Sequence, residues 1–175
     1  MKNNKQYIFT IALCIIYLLL LAGVILFKLP FFNDFSDRVR VVNLIPFQGS
    51  YDESGGIVLR EIVENIFIFV PFGVYVSMLR RGWTFAKRAL LAAGLSLLFE
   101  ILQFIFVLGV SDITDILSNT LGGLAGIGAY SLASRMLKAR TIKIINIAAL
   151  AITVCVVLRF AQLFYMSHFM MRPPQ

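Results

Sequence analysis

Glu100 and Gln103 stand three residues apart inside an apolar run, so an α-helix places both on one face. Asp112, Asp115, Asn119, Gly122 and Gly126 follow at alternating three- and four-residue intervals, which is one stripe of another helix. Upstream, Glu64 and Asn65 open a further apolar run, with Arg60 one turn before Glu64. Carboxylates gathered in low dielectric have a short list of uses. Two of them can divide acid and base roles, as a hydrolase or transferase requires. A group of them takes up protons or recruits a cation. Arg159, inside the last apolar run, would be a counter-ion or a phosphate contact, because a guanidinium matches phosphate oxygens. There is no HExxH, no GxSxG, no Ser/His or Cys/His arrangement and no metal-ligand spacing, so no metal is assigned and the cofactor stays open.

The elements that position these residues are set by composition. The chain has 175 residues, 59% apolar and 14% charged. Soluble domains are about 45–50% apolar and about 25% charged. A water-soluble enzyme, a disordered chain and a nucleic-acid-binding domain are thereby excluded. The net charge of +7 does not point to nucleic acid, because the basic residues lie between apolar runs. Cys14 and Cys155 both fall inside such runs and imply neither a disulfide framework nor a zinc site.

Five apolar runs predict five transmembrane helices in one all-α, multi-pass membrane domain. They cover about residues 7–27, 57–79, 85–109, 112–136 and 142–164. The first is too long for a signal peptide and has no small-residue cleavage site after it. The second contains Pro71-Phe72-Gly73, and Pro71 predicts a kink. Few residues separate the third and fourth runs, which predicts an antiparallel hairpin. Residues 29–59 read as an external loop, extended near Val41. Segments 1–6, 80–88 and 135–143 hold ten of the sixteen basic residues and no acidic ones. The positive-inside rule then predicts a cytoplasmic N-terminus and an external C-terminus in the cell membrane.

That topology predicts depth. At 1.5 Å per residue, Asp115 and Asn119 lie about 5 and 10 Å below the outer edge, and Gln103 and Glu100 about 9 and 13 Å. Glu64, Asn65 and Arg159 fall in the same layer, while the inner half is expected to carry almost no polar groups. Each feature also has a structural reading. Asp112 and Asp115 stand where a cap and a third-position carboxylate would satisfy free helix N–H groups. Arg60 and Glu64 make an ordinary interfacial pair. Glu100 could hydrogen-bond Asn119 or Arg159. Ser118, Gly122 and Gly126 form a small-residue row for close helix packing. His168 and Trp83 suit the two interfaces.

Four blocks resemble the VanZ-like family in order and spacing: Arg40-Val41-Val42-Asn43-Leu44-Ile45-Pro46-Phe47; Glu64-Asn65 with Phe69-Val70-Pro71-Phe72-Gly73; Glu100-Ile101-Leu102-Gln103; and Asp112 to Gly122-Gly123. The match spans about residues 38–130. The resemblance implies a Gram-positive membrane protein, and the family's founding member is associated with resistance to teicoplanin-type glycopeptides. It makes Arg40, Asn43, Pro46 and Phe47 an external-loop motif, and Pro71, Gly73, Gly122, Gly123 and Gly126 packing positions. The leading expectation is an outer-leaflet pocket of Glu64, Asn65, Glu100, Gln103, Asp112, Asp115, Asn119 and Arg159. It would handle a membrane lipid or lipid-linked cell-wall precursor. A carboxylate-dependent membrane hydrolase or transferase, and a scaffold for envelope proteins, are the alternatives.

Overall fold

Apolar length dictates the elements. In the computed structural model, which describes residues 4–27, 41–47, 59–108 and 110–166, the order is α1 (Asn4–Phe27), β1 (Val41–Asn43), α2 (Leu59–Leu79), α3 (Phe85–Phe106), β2 (Val110–Asp112), α4 (Ile113–Leu137) and α5 (Thr141–Tyr165). Among the described residues, four helical stretches are long and apolar enough to cross a membrane: Asn4–Ile25, Leu59–Leu79, Phe85–Phe106 and Ile113–Leu163. The last, 51 residues, contains both α4 and α5. A 3-10 turn, Lys138–Arg140, divides them, with Lys138 at φ 48° and the Thr141 hydroxyl donating to the Lys138 carbonyl at 2.7 Å. Each of the two is 25 residues, about 37 Å. The molecule is an all-α membrane helical bundle.

Local signals end the helices. Thr84 caps α3, its hydroxyl accepting from Lys87 N. At the other end Val107 adopts the left-handed conformation, and its N–H and that of Leu108 return to Phe104 and Gln103 carbonyls. This shape is ordinarily filled by glycine. α2 runs unbroken through Pro71.

Packing is organised by glycine. A β-carbon added at Gly122 would overlap the Ile66 carbonyl, one at Gly126 the Val70 carbonyl, and one at Gly73 the Gly123 carbonyl. α2 and α4 therefore run parallel with backbone against backbone, as small residues permit in a membrane. Gly123 turns instead to Ala92 of α3. α3 and α4 are antiparallel, pairing Ala92 with Gly123 and Ser96 with Asn119. The core between α1, α2 and α3 is Leu21, Ile25, Phe69, Phe72, Val76, Ala92 and Phe99, with the Phe69 and Phe99 rings edge to face at 6.3 Å.

Two ends follow from these pairings. At one, Gln103 Nε2 donates to the Ile25 carbonyl and Asn65 Nδ2 to Asp115 Oδ1. All carboxylates of the described residues lie here, so we call it the acidic end. At the other, the basic end, Thr10 and Asn146 hydrogen-bond at 2.9–3.2 Å and tie α1 to α5. Both are buried, which corrects the expectation of an inner half almost without polar groups. α5 turns back here, its Ile142, Ile145 and Ala149 packing on Leu13, Tyr75 and Tyr130. β1 and β2 form a short parallel pair at the acidic end, Asn43 opposite Asp112. Residues 28–40, 48–58 and 167–175, with Arg40 and His168, lie outside the described residues.

The glycine seam gives a graded prediction. Gly126→Val forces α2 and α4 apart and should destabilise the bundle by about 1–3 kcal/mol or abolish folding. Gly128, where nothing lies within 4 Å of an added β-carbon, should accept alanine with a gain of about 0.5–1 kcal/mol. Thermal unfolding of the purified protein in detergent measures both.

A carboxylate-lined cavity at the acidic end

Three helices bring their polar faces together, and the sequence shows why. Ser96, Glu100 and Gln103 recur at four and three residues along α3, so one face of that helix is polar. Asp115, Ser118, Asn119 and Gly122 do the same on α4. The glycine seam then presses α4 on α2 and carries Asn65 to Asp115, at 2.7 Å. Asn119 Nδ2 donates to Ser96 Oγ at 3.1 Å. Gln103 reaches α1, at 3.0 Å from the Ile25 carbonyl.

These groups enclose a cavity of about 380 Å³. Glu61, Glu64, Asn65, Glu100, Gln103, Asp115 and Asn119 line it, with Val24, Ile25 and Ile68 as its apolar wall. Glu61 and Glu64 are exposed at the rim, whereas Glu100, Gln103 and Asn119 are buried. No lysine or arginine is among the lining residues. Arg60 pairs with Glu64 at 2.7 Å, an exposed i, i+4 bridge of little energetic weight.

The amide oxygens sharpen the chemistry. Gln103 is 1% exposed and Asn119 2%, yet Gln103 Oε1 and Asn119 Oδ1 have no hydrogen-bond partner among the described residues. The Ile25 carbonyl can only accept, which fixes the Gln103 NH₂ toward it and leaves the oxygen as the unmatched atom. An unmatched buried acceptor costs about 1–3 kcal/mol. Four carboxylates and two unmatched amide oxygens make a cavity rich in acceptors, complementary to N–H donors or positive charge.

The predicted site residues divide. Glu64, Asn65, Glu100, Gln103, Asp115 and Asn119 line one cavity. Asp112 does not: its Oδ1 caps α4 by accepting from Thr114 N at 2.7 Å, and its Oδ2 accepts from Asn43 Nδ2 at 2.9 Å. Glu100 Oε2 accepts from Asp112 N at 3.0 Å, so Asp112 braces the site from outside. Arg159 does not join them either. It is exposed on α5 and donates to Gln162 of its own helix at 2.9 Å, because α5 packs against α1 at the basic end and never covers the α2–α4 opening. The loop motif acts as a latch. Asn43 Oδ1 accepts from Ile45 N, and past Pro46 the backbone turns at Phe47 (φ 66°), whose N–H donates to Thr114 Oγ1 at 2.9 Å. Gly73, Gly122, Gly123 and Gly126 serve packing, as described above.

Ser96 was not singled out from sequence, and Glu61 was not assigned to the pocket. Ser96 lies four residues before Glu100 and was legible from that spacing. Glu61 lies three before Glu64, which places both on one face of the same helix.

Fold and cavity define a class: a small helical membrane protein with an acceptor-rich pocket at one end of the bundle. The chain belongs to the VanZ/LLP1 family, whose sequence profile matches residues 14–134. It is 36% identical over 122 residues to Protein VanZ of Enterococcus faecium, covering 69% of this chain and 72% of that protein. No solved structure matches it.

Asp112 yields the prediction. Asp112→Ala loses the cap and the Asn43 bond and should cost about 1–2 kcal/mol, while Asp112→Asn keeps the cap but turns an NH₂ toward the Asn43 NH₂, and should recover only the capping share, about half of that. Thermal denaturation of the two variants side by side checks this.

Proposed function

We propose that this protein is a multi-pass protein of the bacterial cell membrane whose acidic end faces outward, and that its cavity receives the polar head of a cell-envelope lipid or lipid-linked precursor. Five spans with a cytoplasmic N-terminus follow from the alternation of basic and acidic loops. By engaging that lipid the protein lowers susceptibility to teicoplanin-type glycopeptides, the role implied by its family.

One observation carries the reading. Glu100 lines both the polar cavity and an apolar groove of about 250 Å³ on the other side of the same wall. The groove is lined by Leu97, Ile101, Phe104, Ile113 and Ile116 from α3 and α4. Polar and hydrocarbon-compatible sites sharing a wall suit an amphiphile better than a soluble solute. The acceptor-rich lining favours a head that donates N–H groups. The carboxylates also leave room for chemistry on that head, Glu64 and Glu100 being lining residues of one cavity.

Glu100→Gln keeps the shape and an acceptor for Asp112 N but removes the charge. Expressed in a Gram-positive host at wild-type level, it should return teicoplanin susceptibility to that of cells with an empty vector. Mass spectrometry of lipids held by purified wild type and variant should show the bound lipid lost. Full resistance and unchanged lipid in a well-expressed variant would remove the cavity from the mechanism.

A further inference from the structure

The basic end holds a second cavity, of about 410 Å³, between the start of α1, the α2–α3 turn and the α4–α5 joint. Arg80, Arg81 and Trp83 form one side, with Gln6, Tyr7 and Thr10 of α1 facing them. Its size falls in the range of ligand sites, about 300–1,000 Å³.

The turn that carries the arginines is held in shape. Arg80 N donates to the Val76 carbonyl at 2.8 Å and Trp83 N to the Arg80 carbonyl at 3.0 Å. Arg88 Nη2 donates to the Arg81 carbonyl at 2.9 Å. The Arg80 guanidinium lies 5.4 Å from the Trp83 ring centroid, which orients its donor fork. Across the cavity, Thr10 is fixed by Asn146.

Among the described residues no carboxylate lies near these arginines. Residues 65–99 and 116–166 contain no aspartate or glutamate, nor do residues 4–27. Along α2 the nearest, Glu64, is about 24 Å from Arg80. The positive-inside rule accounts for basic residues at this end, but it requires neither a cavity nor two arginines along its wall. Arg80, Arg81, Tyr7, Gln6 and Trp83 all line the cavity, and among the described residues no acidic side chain does. Together these donors match the oxygens of a phosphate group.

We propose that this second cavity binds a phosphate group, that of an anionic phospholipid or of a soluble phosphate, through Arg80 and Arg81. It is separate from the acidic-end cavity and independent of the function proposed for that one.

Trp83 is the chain's single tryptophan, so its fluorescence reports on this cavity alone. The full chain is reconstituted in phosphatidylcholine vesicles containing a minor fraction of phosphatidylglycerol with brominated chains, or the same fraction of brominated phosphatidylcholine. Quenching of Trp83 should show phosphatidylglycerol enriched about tenfold or more. Arg80→Gln with Arg81→Gln should abolish the enrichment. Arg135→Gln with Lys143→Gln removes the same charge from the same end outside the cavity and should preserve it. Comparing the two lipids within each variant cancels any change in the intrinsic emission of Trp83. Inorganic phosphate, added to wild type in phosphatidylcholine alone, separates the sources: a shift of Trp83 emission assigns the site to soluble phosphate, and no shift with enrichment retained assigns it to the headgroup. Equal quenching by both lipids with no response to phosphate would overturn the proposal. So would equal loss of enrichment in the two double variants, since that is what diffuse charge predicts. If a double variant fails to fold, the single substitutions Arg81→Gln and Lys143→Gln make the same comparison, the first lowering the enrichment and the second preserving it; an equal effect of the two would overturn the proposal.

Discussion

The parallel contact of α2 with α4 is the constraint on which the remaining structure depends. In hydrocarbon no hydrophobic drive brings helices together, so close fit must do it. Gly73, Gly122 and Gly126 allow the two backbones to touch through the carbonyls of Ile66, Val70 and Gly123. That approach sets the axial register of the pair. With the register set, Asn65 falls on Asp115, and the polar stripe of α4 is held against the mouth of α2 instead of against lipid. A side chain in the seam would separate the groups that make the cavity.

The polar groups obey a strict economy. Ionisable groups in the membrane are costly, and those of the described helices gather at the ends or find partners. Asp112 satisfies a helix start and is itself held by Asn43 and by the short parallel pairing of β1 and β2. Thr10 and Asn146 satisfy each other. Against that background the unmatched oxygens of Gln103 and Asn119 stand out because both line one cavity, whereas Ser77 Oγ and Arg88 Nε, also without a partner among the described residues, lie apart from it.

The bundle is electrically divided. Among the described residues, the carboxylates occupy one end and nine of the eleven lysines and arginines the other. This division gives each end a cavity of opposite chemical character. The acidic end accepts hydrogen bonds and positive charge; the basic end donates them.

Much of this was legible in the residues themselves. Length and apolarity define the helices, and three- and four-residue spacing tells which face of α3 and of α4 is polar, because helix periodicity is a local property. The glycine row announced a close partner for the same reason. Which helix would be that partner was not readable, since it depends on the steric fit of backbones distant in sequence. Only the tertiary structure turned Gly122 and Gly126 to α2 and Gly123 to α3, withdrew Asp112 from the cavity to cap α4, and sent Gln103 to a main-chain carbonyl of α1. It also left Arg159 outside, because Thr10 and Asn146 commit α5 to α1. Spacing decides what a helix offers; packing against non-neighbours decides what receives it.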